Sequence, residues 1–345
     1  MIKKLYLYIL IVAISLLSVI NSYSQASTIT IEADKQSFQI KDNTALFDGN
    51  VRVSYDNIKI SSPKAILSSN TKGEPDKAIF SEGVLAYRND KSSNDSLNAD
   101  SITLLIASNN LIAEGKTISH FKKNTPDAIT IKAQRQEFNS KTNEVSASGG
   151  VVINLKDMVL SGGTANLITN GGKPYKATFS NSARVTKGDS TITAGTISIE
   201  LNSNDIVASG GVSTITNLKG TGRVSIRSNT QTYDKNTNTI VGSGNVNMEY
   251  QDYKASGSKA TLYLTPDNSL QKIIFTGRSQ IKDALRKVSA DKIVVSINPK
   301  NFTAEGNVKT QFTRQEQTKK TITKSGEKPA VKREEPASNN NKEGQ

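Results

Sequence analysis

Residues 290–308 read Ala290-Asp-Lys-Ile-Val-Val-Ser-Ile-Asn-Pro-Lys-Asn-Phe-Thr-Ala-Glu-Gly306-Asn-Val308. Apolar and polar side chains alternate on both sides of the Asn-Pro-Lys-Asn segment, and such alternation is typical of strands with one buried face. Asparagine and proline favour the tight turn that would join two such strands. The stretch is therefore predicted to be a β-hairpin.

The same frame occurs six times along the chain. Its copies begin at Ala33, Ala99, Ala133, Ala194, Ser228 and Ala290, and each has a glycine sixteen positions later: Gly49, Gly115, Gly149, Gly210, Gly244 and Gly306. Long and short steps alternate between the copies, and the long steps contain a further related segment that begins at Lys77, Lys176 or Lys272. Glycine inside a strand marks a bulge, a bend or a close backbone approach. The chain is therefore predicted to be a repeat array whose sheet bends at these glycines.

Alternation with a period of two continues from Ser27 to Phe312, which makes the chain all-β. The expected architecture is an elongated antiparallel β-jelly roll, in which stacked hairpins form two facing layers. A parallel β-helix and a propeller fit the spacing less well. The repeats are expected to form three units, 27–128, 129–223 and 224–312, and the polar segment 313–345 is expected to be a disordered charged tail.

The N-terminal segment, Met1 to Ala26, has the pattern of an export signal. Two lysines, Lys3 and Lys4, precede an apolar run from Leu5 to Ile20, and Ser24-Gln-Ala26 supplies small residues for cleavage. An uncleaved membrane anchor is the alternative, because the apolar run is only slightly shorter than a membrane span. Both interpretations predict an exported chain in the periplasm.

Composition argues against several classes of function. The chain has no cysteine and one histidine, His120, so thiolate metal sites and histidine pairs are excluded. Its net charge of +13 is spread along the sequence without a basic stripe or interleaved aromatic residues, which argues against nucleic acid as a partner. No catalytic residue, metal or cofactor is expected.

The pattern Ala-Asp…Gly-Asn-Val, present as Ala33-Asp34…Gly49-Asn50-Val51 and again at residues 290–308, resembles the LptA/OstA family of periplasmic lipopolysaccharide-transport proteins. That family includes the N-terminal domain of the outer-membrane partner and a related inner-membrane-attached component. The resemblance implies a β-jelly roll whose interior shields the acyl chains of lipid A. It also implies partners at both membranes and end-to-end self-association through edge strands. This chain is longer than a typical bridge subunit, so its position in the bridge stays open.

The inward positions of the alternation are the candidate lipid-binding residues. In the first repeat they are Ile29, Ile31, Phe38, Ile40, Phe47, Val51, Val53 and Tyr55; in the second they are Ile129, Ile131, Phe138, Val145, Val151, Ile153 and Leu155; in the third they are Val224, Ile226, Tyr233, Ile240, Val246, Met248 and Tyr250. Each of them could instead pack against the opposite layer. Two other functions therefore remain as alternatives: a structural or adhesive β-array without lipid cargo, and an enzyme that acts on polysaccharides.

Overall fold

The structure is a computed structural model that describes residues 30–55, 58–90, 93–108, 110–121, 128–139, 142, 144–155, 157–170, 173–200, 203–218, 222–267 and 269–313. These residues form twenty β-strands and two short 3-10 helices, Ile40–Asp42 and Ile106–Ser108. The strands are β1 Thr30–Glu32, β2 Lys35–Gln39, β3 Thr44–Tyr55, β4 Ile58–Ser69, β5 Pro75–Asp90, β6 Ser93–Leu105, β7 Asn110–Phe121, β8 Ile129–Asn139, β9 Glu144–Leu155, β10 Met158–Asn170, β11 Lys173–Lys187, β12 Ser190–Glu200, β13 Asp205–Leu218, β14 Gly222–Asp234, β15 Thr239–Tyr250, β16 Tyr253–Leu264, β17 Leu270–Lys282, β18 Arg286–Ser296, β19 Asn301–Glu305 and β20 Lys309–Phe312.

The strands form one antiparallel meander. From β3 to β18 each strand pairs with the next strand along the chain, as short hairpin connections require. At one end β1 and β2 both pair with β3, and at the other end β19 and β20 both pair with β18. The sheet therefore has two edges, and each edge is a strand broken into two pieces. The predicted all-β, antiparallel fold is confirmed.

The sheet bends in the middle of every long strand. Each odd-numbered strand from β3 to β17 has two consecutive residues with positive φ, and a ninth such pair separates β19 from β20; we call each pair a corner. The corners are Gly49–Asn50, Glu82–Gly83, Gly115–Lys116, Gly149–Gly150, Asn181–Ser182, Gly210–Gly211, Gly244–Asn245, Gly277–Arg278 and Gly306–Asn307. Strand pairing skips at the corner: β3 pairs with β4 at Asp48–Lys64 and next at Val51–Ser62. Such bulges bend a sheet.

The six repeated glycines all lie at corners with positive φ, so the predicted bends are confirmed. The corners also explain the two step lengths of the repeat. Glu82 lies midway along the sequence between Gly49 and Gly115, so the long step contains one additional corner. In two of the three long steps this additional corner begins with Glu82 or Asn181 and not with glycine. The underlying repeat is therefore a pair of strands with one corner.

The corners divide the sheet into two layers, which are halves of the same strands. In odd-numbered strands, layer A contains the residues before the corner. In even-numbered strands, which bend beside the corners of their neighbours, layer A contains the residues after the bend. Layer B contains the other half of each strand. The turns at the end of layer A, such as 297–300, form rim A, and those at the end of layer B, such as 251–252, form rim B. Buried side chains from the two layers belong to the same apolar cluster, which contains for example Phe47 of layer A and Ile60 of layer B. The core lies between the layers.

Buried polar side chains of the interior bond to each other. The Gln136 amide, which is fully buried, accepts a hydrogen bond from Ser119 Oγ (2.7 Å) and donates one to Thr117 Oγ1 (2.9 Å). The Gln231 amide accepts from Thr214 Oγ1 (2.6 Å) and donates to the Ile226 carbonyl (3.3 Å). Such internal pairing avoids the cost of burying an unsatisfied amide.

By its internal contacts the chain divides into two units, Met1–Phe312 and Thr313–Gln345. The division into three repeat units stays a prediction. The leader and residues 314–345 lie outside the described residues, so the predicted leader and the predicted disordered tail also stay predictions. Within the described part of the chain, no helix is long and apolar enough to span a membrane.

Candidate functional site

Apolar clusters follow one another along the space between the layers. The first is built around Phe47 and Phe80, the central one around Phe179, and the last around Phe275. Two smaller clusters lie between the first and the central one, and Ile153 packs against both of them and against the central cluster. The interior thus presents apolar side chains along the length of the strand array.

Most of the predicted lining residues point into this interior. Phe47, Val51, Ile131, Phe138, Val151, Ile226, Val246 and Met248 are buried, as are Ile129, Val224 and Tyr250. Ile31, Val53, Val145, Ile153, Leu155 and Ile240 are half-buried and pack against the clusters. Tyr233 is also half-buried. Within each half of a strand their inward direction follows from the alternation. In odd-numbered strands the inward positions keep one parity across the corner, as Phe47 and Val51 do, whereas in even-numbered strands they shift by one residue at the bend, as between Ile131 and Phe138.

Two predicted lining residues lie at the N-terminal edge of the sheet. The exposed fraction of the side chain is 59% for Phe38, in β2, and 81% for Ile40, in the first 3-10 helix. All five residues of β2 are exposed. The alternation places Phe38 on the inner face, but among the described residues no strand beyond β2 covers it. Ile29 and the side chain of Tyr55 lie outside the described residues.

A cavity of about 360 Å³ lies between the layers at the C-terminal end of the array. Layer B contributes Met248, Tyr250, Tyr253, Ala255, Ile281 and Arg286; layer A contributes Ile273, Phe275, Val295, Ile297, Lys300, Asn301 and Phe302. Its wall is mostly aliphatic and aromatic, and its two cations come from the ends of the layers. This arrangement is suited to a ligand with an apolar body and a polar end.

Lys300 connects the two rims over this cavity. It lies in the rim A turn before β19, and its Nζ donates a hydrogen bond to Oε1 of Gln251 in rim B (2.7 Å). The same Nζ lies 4.7 Å from the ring centre of Tyr253 and 5.5 Å from that of Tyr250, which also belong to layer B. The electron-rich faces of the rings stabilise the ammonium charge. A single side chain therefore closes part of the open side between the layers.

Arg286 makes a second contact between the layers. Its guanidinium lies 5.7 Å from the ring centre of Phe302 in layer A, and it donates two hydrogen bonds to Asp283 Oδ2, from Nε (3.0 Å) and Nη2 (2.8 Å). This ion pair lowers the pKa of Asp283 and raises the pKa of Arg286. The charge of Arg286 is thus compensated within its own layer.

Sequence reasoning missed this cavity as a site. Met248 and Tyr250 were predicted to point inward, and Lys300 was recognised as part of a turn, but nothing in the sequence brings Lys300 near Gln251. Their contact depends on the bend at the corners and on the register of the last five strands. The predicted inward position of Tyr250 is the local signal that the sequence offers.

The described residues contain no group of three or more His, Cys, Asp or Glu side chains that could hold a metal ion. His120 lies in β7, where its Nδ1 is 3.2 Å from Thr130 Oγ1 of β8. This contact fits a cross-strand pair on the sheet surface.

Comparison with known proteins identifies one domain in the chain. Residues 30–124 match the model of a family described as "LptA/(LptD N-terminal domain) LPS transport protein", which confirms the predicted LptA/OstA-like resemblance. The matched residues include β1 to β7. No match is found among curated protein sequences.

One similar solved structure is that of LptH, described as the LptA homologous periplasmic component of the conserved lipopolysaccharide transport device from Pseudomonas aeruginosa. The alignment has 13% sequence identity and a TM-score of 0.31, and it covers 35% of this chain and 82% of LptH. The matched family is described by transport and not by an enzymatic activity.

Proposed function

We propose that this chain, with its LptA/LptD-type domain at residues 30–124, is a non-catalytic periplasmic carrier that binds lipopolysaccharide between its two layers. The observation that carries the proposal is the succession of apolar clusters between layers A and B. Lipid A has several acyl chains, and each methylene kept away from water stabilises the complex by about 0.8 kcal/mol. A lining that extends along the array would keep acyl chains in contact with apolar side chains as they move.

The two open edges support a role as part of a bridge between the membranes. The backbone groups on the outer side of β2 and of β19 and β20 have no partner strand within the described chain. Such edges pair with strands of other molecules. We therefore propose that copies of this chain, or other bridge components, join end to end at these strands.

A photocrosslinking experiment tests lipid binding. Benzoylphenylalanine would replace Phe47 or Val51, which are buried between the layers, or Arg52, which is the exposed neighbour of Val51 on the outer face of β3. With purified full-length protein and lipopolysaccharide, we expect crosslinks at positions 47 and 51 and none at position 52. Phe47 is the most conservative site, because the probe also carries an aromatic ring. Crosslinks at position 52 alone would refute the carrier.

A structural β-array without lipid cargo is the second candidate. Ile102, Ile197 and Ile293 are completely buried by protein atoms, so protein side chains fill part of the interior. A purely structural array would give no lipopolysaccharide crosslink at position 47 or 51, although its circular dichroism and unfolding transition would be those of a folded protein.

A further inference from the structure

We propose that the C-terminal cavity binds one acyl chain of an anionic amphiphile and that Lys300 binds its anionic head group. The inference rests on the proposed function, in which lipid enters the space between the layers, and it names the one place where the described structure selects the head group. It identifies Lys300 as a specificity-determining residue.

The charge of Lys300 is available to a ligand. Among the described residues no carboxylate lies within ion-pair distance of its Nζ; its neighbours are the Gln251 amide and the rings of Tyr250 and Tyr253. An ammonium group has three N–H donors, and the Gln251 hydrogen bond uses one of them. Phosphate and carboxylate oxygens accept stronger hydrogen bonds from an ammonium than an amide does. An anion at the opening would therefore bind Lys300 without separating an existing ion pair.

Arg286 has a different role. Its guanidinium is already paired with Asp283 through two hydrogen bonds, and it packs over Phe302. It is therefore a positioning residue that holds the side of the opening. Binding of the anionic head group is therefore expected to depend on Lys300 more than on Arg286.

The wall below these cations fits an acyl chain. Met248, Ile273, Phe275, Ile281 and Val295 line the cavity with apolar atoms. Its volume of about 360 Å³ lies within the range of about 300–1,000 Å³ that small-molecule sites occupy. An amphiphile of one chain and one anionic group satisfies both the wall and the opening.

The test measures binding of three probes to the full chain by isothermal titration calorimetry. Dodecyl phosphate has the chain and the anion, dodecyl maltoside has the chain with a neutral head, and inorganic phosphate has the anion alone; both amphiphiles are used below their micelle concentrations. We expect dodecyl phosphate to bind about tenfold more tightly than dodecyl maltoside, the ratio that one hydrogen bond to a charged group supplies. Inorganic phosphate should give no measurable heat.

Variants locate the effect. Lys300→Gln should weaken dodecyl phosphate binding about tenfold and leave dodecyl maltoside unchanged, whereas Lys300→Arg should retain the preference for the anion. Lys287→Gln is the matched control, because it removes the same charge from an exposed position of β18 outside the cavity. Equal affinities for the two amphiphiles in the unmodified chain, or equal losses in the two glutamine variants, would overturn the proposal. If inorganic phosphate binds at Lys300 and neither amphiphile binds, the site recognises an anion without an acyl chain and the proposal is wrong.

The outcome can be separated from that of the proposed function. If lipopolysaccharide crosslinks at positions 47 and 51 while Lys300→Gln changes nothing, the carrier stands and the head-group site is wrong. If Lys300 determines the preference for dodecyl phosphate but lipopolysaccharide crosslinks nowhere inside, the cavity binds amphiphiles in a protein that does not carry lipopolysaccharide.

Discussion

At the level of single residues, the corner at Gly149–Gly150 depends on how closely the neighbouring strand approaches. A Cβ atom added to Gly149 would lie 2.5 Å from the Cβ of Gln134, which is closer than two side chains can be. Gly150 also has a positive φ, but a Cβ added there would meet nothing within 4 Å. At this corner the first residue is therefore restricted by contact as well as by backbone conformation, whereas the second is restricted by conformation alone.

This difference predicts unequal effects of two adjacent substitutions. Gly150→Ala should lower the free energy of unfolding by about 1–2 kcal/mol, the cost of the left-handed conformation for a residue with a side chain. Gly149→Ala should lower it by about 1–3 kcal/mol more, because Gln134 must also move. Urea denaturation of both variants and the unmodified chain measures this. Equal losses of unfolding free energy in the two variants would show that the close approach of the neighbouring strand at this corner does not affect stability.

The Ala-Asp…Gly-Asn-Val pattern has a physical basis at the same scale. At the N-terminal edge the Asp34 backbone N–H donates to the Gly49 carbonyl (2.8 Å), and Asn50 Nδ2 donates to Asp34 Oδ2 (2.8 Å). Asp291, Gly306 and Asn307 repeat these bonds at 2.8 and 2.9 Å at the other edge. The sequence could predict the bends at the six repeated glycines, because these glycines recur at a fixed spacing. It could not predict the corners that begin with Glu82 and Asn181, since only their backbone reveals them.

At the level of the strand, alternation predicts which side chains face inward within each half of a strand, because the side chains of a strand alternate between its two faces. β13 allows a direct test, since it contains a buried valine, Val212, and an exposed one, Val207. Val212→Ala should lower the free energy of unfolding by about 2 kcal/mol, through lost burial and the space left behind.

The same change at Val207 is the control. Val207→Ala should alter the free energy of unfolding by less than about 0.5 kcal/mol, as is usual for surface positions. Both variants would be compared by urea denaturation at equal protein concentration. A similar loss at the two positions would contradict the assignment of the inner face.

Contacts between the rims are beyond the reach of strand patterns. Lys300 and Gln251 are 49 positions apart and meet only because two bent strands place rim A opposite rim B. Alternation gives the face of each residue but not the angle between the layers. It could therefore predict the lining residues but not the contact between Lys300 and Gln251. The cavity is accordingly a property of the assembled layers.

At the level of the whole molecule, the three most exposed large apolar side chains among the described residues all lie at the two edges of the sheet. Phe38 and Ile40 lie at the N-terminal edge, and Phe312, with 75% of its side chain exposed, lies in β20 at the C-terminal edge. A second copy that paired its β2 with β19 in layer A and its β1 with β20 in layer B would cover these side chains and continue the meander. The proposed end-to-end association therefore makes one edge of each copy the partner of the opposite edge of the next.

Substitution at one edge should interrupt this association. Phe312→Glu places a charge where the next strand would pack, so we expect the mean mass measured by light scattering to fall toward that of the monomer, with the unfolding transition unchanged. Ile40→Glu should have the same effect from the opposite edge. Val207→Glu is the control, because Val207 is an exposed apolar residue of the central strand β13 and should leave the mass unaltered. A similar fall in mass for Val207→Glu would mean that the copies associate through their sheet faces, and a constant mass in all three variants would exclude these edges as the contact.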